Sequence, residues 1–201
     1  EALGGIKREF GEDLCVAGRV AAPFSAVQLL FGIADGLMLL HDDPGLFDRA
    51  SDFCVELMTM WGRAQLEAGA DAIWLGDCVA TAAFILPEQY ERFALESARR
   101  VSDALREQGG IVIYHGGETS LPHLQLQAAP FQVINLGEGC DMAEMKAALG
   151  DIVCLSGNAD PIGLMNCADP DEVEAETRRI VEAGKPGGGY VFNTGEGIPR
   201  Q

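Results

Sequence analysis

Residues 67–77 read Glu-Ala-Gly-Ala-Asp-Ala-Ile-Trp-Leu-Gly-Asp: a helix end, a glycine stop, a short apolar run and an acid just beyond it. Upstream, Pro44 follows Asp42 and Asp43, a cap followed by a helix-opening proline. Phe47, Ala50, Cys54, Leu57, Met58, Trp61 and Ala64 then recur at helical spacing up to Gly69. The run Ala72–Leu75 is too short for a helix and nearly all apolar, which predicts a parallel strand covered on both faces.

The same alternation recurs on either side. Further strands are predicted at Leu14–Ala17, Ile111–Tyr114, Gln132–Asn135, Ile152–Leu155 and Tyr190–Phe192. Pro87 opens a helix carrying Tyr90, Phe93, Ala94, Ala98, Val101 and Leu105, closed by Gly109. Asp141 caps a helix over Met142–Leu149, and Asp169-Pro170 with Glu172 forms a capping-box start for one reaching Gly184. One helix is expected over roughly 24–40 and a short one after Ser120. Strands alternating with helices, without a hairpin turn such as Asn-Gly, mean βαβ units with right-handed crossovers. An open doubly wound sheet or a barrel satisfies that pattern. No G-x-G-x-x-G follows the first strand, so the main argument for a dinucleotide-binding sheet is missing. The expected fold is therefore an α/β (β/α)₈ TIM barrel with about six of its eight βα units in this chain. With no repeat, low-complexity tract or linker, residues 1–201 are expected to form a single domain.

The bulk composition narrows the function. Hydrophobic residues make up 48% and charged residues 22% of 201, the balance of a folded globular protein. Acidic residues outnumber basic ones 31 to 14, a net charge of −17 that repels nucleic acid and anionic membrane surfaces. The most apolar stretch, 20–40, is interrupted by Pro23, Gln28, Gly32, Asp35 and Gly36 and is not expected to span a membrane. There is no secretory signal, and Glu1 is not an initiator Met, so part of the N-terminus is expected to be missing and a cytoplasmic protein is the default. Cys15, Cys54, Cys78, Cys140, Cys154 and Cys167 form no C-x-x-C pair. Cys15 and Cys154 lie in strand-like runs and Cys54 on an apolar helix face, which suits reduced, mostly buried thiols.

In a barrel the residues just past each strand form the active-site rim. Those positions are Arg19, Asp77 with Cys78, His115 with Glu118, Glu138 with Cys140, Asn158 with Asp160, and Glu196. His115 ends Ile-Val-Ile-Tyr and precedes two glycines that let a ligand come close; an imidazole bonded to a backbone carbonyl would look the same. His41 and His123 read as surface residues. Asp77 suits either a rim carboxylate or a helix cap. Glu196 stands between Gly195 and Gly197, free to point inward. Asn158 and Asp160 in Ser-Gly-Asn-Ala-Asp-Pro also suit plain turn chemistry. Cys78 and Cys140 suit metal thiolates or small apolar fillers. His115, Glu138 and Glu196 together offer ligands for Zn²⁺ with an open position, or a metal-free acid and base.

The order of these motifs resembles the superfamily of uroporphyrinogen decarboxylases and corrinoid-dependent (methylcobalamin:coenzyme M) methyltransferases over almost the whole chain. Ala22-Pro23-Phe24-Ser25 is similar to its G-x-P-F-T segment, and Glu67–Asp71 followed by Gly76-Asp77 to its E-A-G-A-D…D stretch. Leu86–Tyr90 resembles S-P-E-x-F, residues 157–161 resemble G-N-x-D-P, and residues 192–199 the closing F-N-x-G-x-G-I-P. The decarboxylases carry G-H-G where this chain has Glu196, lack a strand-end histidine, and have Asp-Trp in place of Asp141-Met142. The methyltransferases hold zinc through H-x-C and a later cysteine. His115 matches their first ligand, whereas Gly117 and Glu196 replace the cysteines.

The resemblance thus implies an enzyme of the methyltransferase-like branch. Asp77, His115 and Glu196 would be catalytic, and Arg19, Phe24, Cys78, Asn158 and Asp160 would bind a small-molecule substrate. A zinc ion on His115, Glu138 and Glu196 and a separate corrinoid protein partner belong to that reading, and a homodimer is compatible with it. The alternatives are a cofactor-free tetrapyrrole carboxy-lyase of porphyrin biosynthesis using Asp77, or a non-catalytic binding homologue. The family's N-terminal third is absent from the match.

Overall fold

The computed structural model describes residues 2–11, 13–166 and 168–199; Cys167 lies outside them. In chain order the elements are α1 (Ala2–Phe10), β1 (Ala17–Ala21), α2 (Pro23–Phe31), α3 (Ile33–Asp42), α4 (Pro44–Glu67) and β2 (Ala72–Gly76). Then come α5 (Pro87–Gln89), continued by a π-helical stretch (Tyr90–Leu95) into α6 (Glu96–Arg106), and β3 (Ile111–Glu118). The rest are α7 (Leu121–Ala128), β4 (Val133–Leu136), α8 (Met142–Leu149), β5 (Cys154–Ala159), α9 (Pro170–Gly184) and β6 (Tyr190–Thr194). The six strands are hydrogen-bonded in that order, and β1/β2, β4/β5 and β5/β6 are parallel in register. Two compact units divide the chain within β3, Glu1–Tyr114 and His115–Gln201.

In the first unit the expected helix over 24–40 is two helices. Gly32, at φ +88°, ends α2, and α3 leaves at 108° to it. No single helix among the described residues is long and apolar enough to cross a membrane. Asp43 caps α4 through its side chain, accepting from the Leu46 N–H at 2.9 Å. The core is built on Phe24, Phe47 and Phe93, whose rings stand 5.5 and 5.4 Å apart in sequence. The first strand begins at Ala17, not Leu14. The Val16 N–H is held by the Asp71 carboxylate (2.9 Å), and Leu14 and Cys15 stay exposed outside the strand. Asp71 also pairs with Lys7 at 2.7 Å, and these bonds hold its carboxyl below the usual range.

Gly18 faces α4: a Cβ there would meet Gln65 Oε1 at 2.5 Å. The Gln65 amide clamps the neighbouring backbone, accepting from Arg19 N–H (2.9 Å) and donating to Arg19 C=O (3.1 Å). Arg19 therefore lies inside β1, not past its end.

In the second unit the caps read from sequence are present. Asp141 accepts from Glu144 N–H at 2.9 Å, and Asp169 and Glu172 form the reciprocal capping box of α9. The strands run further than their apolar runs. β3 continues through His115 to Glu118, β5 through Asn158 to Ala159, and β6 to Thr194. Tyr190 donates to the Gly157 carbonyl at 2.6 Å, tying β6 to β5.

Candidate active site

In the first unit Asp77 sits immediately after β2 and is wholly buried. One carboxylate oxygen accepts the Ser25 N–H (3.0 Å) at the start of α2, and the other accepts the Tyr114 hydroxyl (2.8 Å) from β3. Tyr90 donates in turn to Tyr114 Oη at 3.2 Å, and Ser25 Oγ accepts the Val79 N–H at 3.2 Å. Burial pushes the Asp77 carboxyl up to about 6, against the stabilising hydrogen bonds from Ser25 and Tyr114. Tyr114, desolvated beside that carboxylate, is raised well above the ordinary phenol value. The result is a buried carboxyl poised near neutrality on a tyrosine relay, an arrangement frequent at reacting centres. Ser25, Tyr90 and Tyr114 were not singled out in the sequence. Ser25 and Tyr90 close two of the family-like segments, and Tyr114 ends the apolar run Ile-Val-Ile-Tyr.

Phe24 belongs to the aromatic core and is fully buried, so it packs against Phe47 and presents no surface for a substrate. Cys78 is exposed in the loop after β2. Arg19 is exposed on β1.

In the second unit His115 lies within β3, buried, and its Nε2 stands 3.1 Å from Glu196 Oε2 just after β6. A carboxylate only accepts, so the Nε2–H of the imidazole is the donor. The His115 side chain is 4% exposed and that of Glu196 40%, so the pair has one sheltered and one open end. Gly117, at φ +62°, makes the pair fit. A Cβ on it would fall within the van der Waals envelope of Glu196 Oε1 and lie 3.2 Å from Cδ.

The loop that carries Glu196 is fixed by Asn135, a buried residue absent from the sequence-based list. Its Nδ2 donates to Gly195 C=O (2.9 Å), and its Oδ1 accepts from Asn193 Nδ2 (3.2 Å). Asn158 is buried within β5 and donates to the carbonyls of Gly137 (3.0 Å) and Cys140 (2.8 Å), so it ties the 137–140 loop in place. Asp160 Oδ1 accepts from the N–H groups of Ile162 and Gly163, which is turn chemistry. Glu118 does the same for Thr119 and Ser120 at the entry to α7. His123, expected at the surface, is buried on α7 because that helix turns its face inward.

The expected three-ligand set does not assemble. Glu138 is exposed, its carboxylate lies against Gly195, and among the described residues it shares no ligand cluster with His115 and Glu196. Cys140 donates to the Glu118 carbonyl, and burial raises its thiol to about 11, so it is not a thiolate at neutral pH. One imidazole nitrogen and one carboxylate are what this unit offers, short of the three protein ligands a catalytic zinc ion requires.

The sequence profile of the family described as "Uroporphyrinogen decarboxylase (URO-D)" matches residues 1–201. The chain belongs to the uroporphyrinogen decarboxylase family. Within that family it is 32% identical over 215 residues to the uroporphyrinogen decarboxylase of Pseudomonas aeruginosa, covering 98% of this chain and 58% of that one. It is 28% identical over 185 residues to the methylcobamide:CoM methyltransferase MtbA of Methanosarcina mazei, covering 89% of this chain and 52% of that one. A solved methyltransferase from Methanosarcina mazei superposes with a TM-score of 0.86 at 22% identity, covering 98% of this chain and 57% of its own. That likeness gives this family member its fold, an α/β barrel of the TIM type represented by six βα strands. The chain spans about half the length of the relatives it matches.

Proposed function

We propose that this family member is a methyltransferase-like enzyme, moving a methyl group between a small substrate and a separate corrinoid protein. The observation that carries the reading is the His115–Glu196 contact, held by Asn135 and given room by Gly117. His115 occupies the strand position at which the resemblance to the methyltransferases places their first ligand. A small acceptor carrying an X–H group would meet the open end of Glu196. The Glu196 carboxylate takes the X–H proton while the His115 N–H steadies the other oxygen, and the freed electron pair on X forms the bond to the methyl group as the bond between that methyl and the partner's corrinoid breaks, its electron pair staying on the corrinoid. The role is acid–base, and no step passes through a metal.

A second reading is supported by a different observation, the buried Asp77 with Tyr114 and Ser25. A carboxyl near neutrality can balance charge developing on a pyrrole ring, as a tetrapyrrole carboxy-lyase requires.

The test uses the full chain with two substrates, methylcobalamin with a small thiol and uroporphyrinogen. Methyl transfer abolished by Glu196→Gln supports the first reading. Decarboxylation that survives Glu196→Gln and fails in Asp77→Asn replaces it with the second. Turnover of neither substrate, with tight binding of one, leaves a binding homologue and overturns both.

A further inference from the structure

In the first unit β1 and β2 turn one face to α4 and the other away from it. Gly18 and Ile73 lie on the helix side, since a Cβ on Gly18 would touch Gln65 and Ile73. Arg19 and Trp74, register partners, therefore share the opposite face, together with Gly76. The Arg19 guanidinium extends along this face towards the C-terminal end of β2, with Nη2 4.0 Å from the point where Gly76 would carry a Cβ. Gly76 thus leaves open the space beside the cation.

Two features describe how this arginine is held and what its cation meets. Its backbone is clamped on both sides by Gln65, so its Cα is held without help from its own side chain. Among the described residues its guanidinium forms no ion pair, although acids outnumber bases 31 to 14; Arg8, Arg49, Arg63 and Arg92 share that condition, whereas Arg99, Arg100, Arg106, Arg178 and Arg179 are each paired. An accessible guanidinium beside a half-buried indole and a bare glycine matches a planar acid. The fork pairs with a carboxylate through two N–H groups, and the indole receives the ring or chain attached to it.

From this geometry we infer that Arg19, Trp74 and Gly76 form a subsite for the carboxylate of a small, partly apolar anionic ligand. That the bound anion is the enzyme's substrate rests on the reading above; that an anion binds here does not.

The test reads binding without turnover. Trp61 and Trp74 are the two tryptophans, so Trp61→Phe leaves Trp74 as the reporter beside the subsite. Benzoate and its neutral isostere benzamide are titrated at constant ionic strength while Trp74 emission is followed. Benzoate is expected to bind roughly ten-fold more tightly, and Arg19→Gln to remove the difference. Arg19→Lys should keep part of it, because charge survives and the fork does not. In the unmutated protein, benzoate should slow phenylglyoxal modification of Arg19, mapped by peptide mass spectrometry, while benzamide should not. Equal affinity for the two probes, or an unchanged preference in Arg19→Gln, overturns the subsite. Loss of methyl transfer with the benzoate preference intact would instead sink the proposed reaction and leave the subsite standing.

Discussion

Replacing Gly117 by alanine should damage the protein twice, once through its backbone and once through Glu196. The residue sits at φ +62°, where an L side chain costs about 1–2 kcal/mol. The added methyl also enters the space of Glu196 Oε1, with Cδ at 3.2 Å and Cγ at 3.5 Å. Glu196 must swing away and give up its bond to His115. A hydrogen bond to a charged group contributes about 1.5–3 kcal/mol, and the 40% exposure of Glu196 places this one near about 1 kcal/mol.

The whole loss is then about 2–3 kcal/mol, or roughly 4–12 °C in Tm for a chain of this size. Gly187 supplies the backbone control: its φ is +76°, and a Cβ there meets nothing within 4 Å. Urea unfolding followed by circular dichroism, on Gly117→Ala, Gly187→Ala, Glu196→Ala and the 117/196 double variant, separates the two costs. Gly117→Ala should lose about 1 kcal/mol more in the wild-type background than in Glu196→Ala. Equal losses in both backgrounds, or a loss no greater than that of Gly187→Ala, would refute the claim that Glu196 fills the space beside residue 117.

Other consequences are as direct. The Asp77 carboxyl rises from 3.8 to about 6, so the folded state holds that proton more tightly than the unfolded chain. Its contribution is fully present below 3.8 and is lost as pH rises through about 6, a difference of roughly 3 kcal/mol. Asp77→Asn should therefore flatten the fall in urea midpoint between pH 4 and 7, and an unchanged slope would contradict the buried carboxyl. Asn135→Ala removes the donor to the Gly195 carbonyl, so amides 193–197 should exchange faster, with a stability loss of roughly 1–3 kcal/mol; unaltered exchange would mean the loop is held elsewhere. Asp169→Ala breaks the capping box of α9 and should cost about 1 kcal/mol, read as a drop of roughly 2–4 °C in Tm.

The fold was legible where its physics is local. Apolar runs marked the six strands, and Asp43, Asp141 and Asp169 marked helix starts because a cap bonds within three residues of itself. Strand ends were read too early for one reason. His115, Glu118 and Asn158 are polar, yet each lies within its strand, so an apolar run stops short of the strand's end. The break at Gly32 was noted as an interruption to a membrane span, but its 108° bend depends on how two apolar helices pack. Asp77, His115 and Glu196 were singled out by position, whereas the residues that hold them were not. Tyr114 lies 37 residues from Asp77, and Asn135 lies 60 from Gly195, so no spacing links them. His123 was misplaced because the apolar face of α7 is too short to reveal its orientation in sequence.

Positions 117 and 196 are best understood as one exchange. The resemblance to the methyltransferases gives each a cysteine, and this chain has a residue without a side chain at one and a long carboxylate at the other. Treated separately, each is a lost ligand, and the pair suggests decay. The geometry says otherwise: the volume vacated at Gly117 is the volume Glu196 Oε1 enters, and the carboxylate then reaches His115 Nε2 at 3.1 Å. Relaxed drift would have left a cavity or a clash, not a filled space with a hydrogen bond across it. Restoring a cysteine at 117 alone would force a thiol and a carboxylate into one space, so the two positions must be reverted together. That coupling, with Asn135 dedicated to the loop that presents Glu196, makes positions 117, 135 and 196 one packed unit, in which a change at any one is felt at the others.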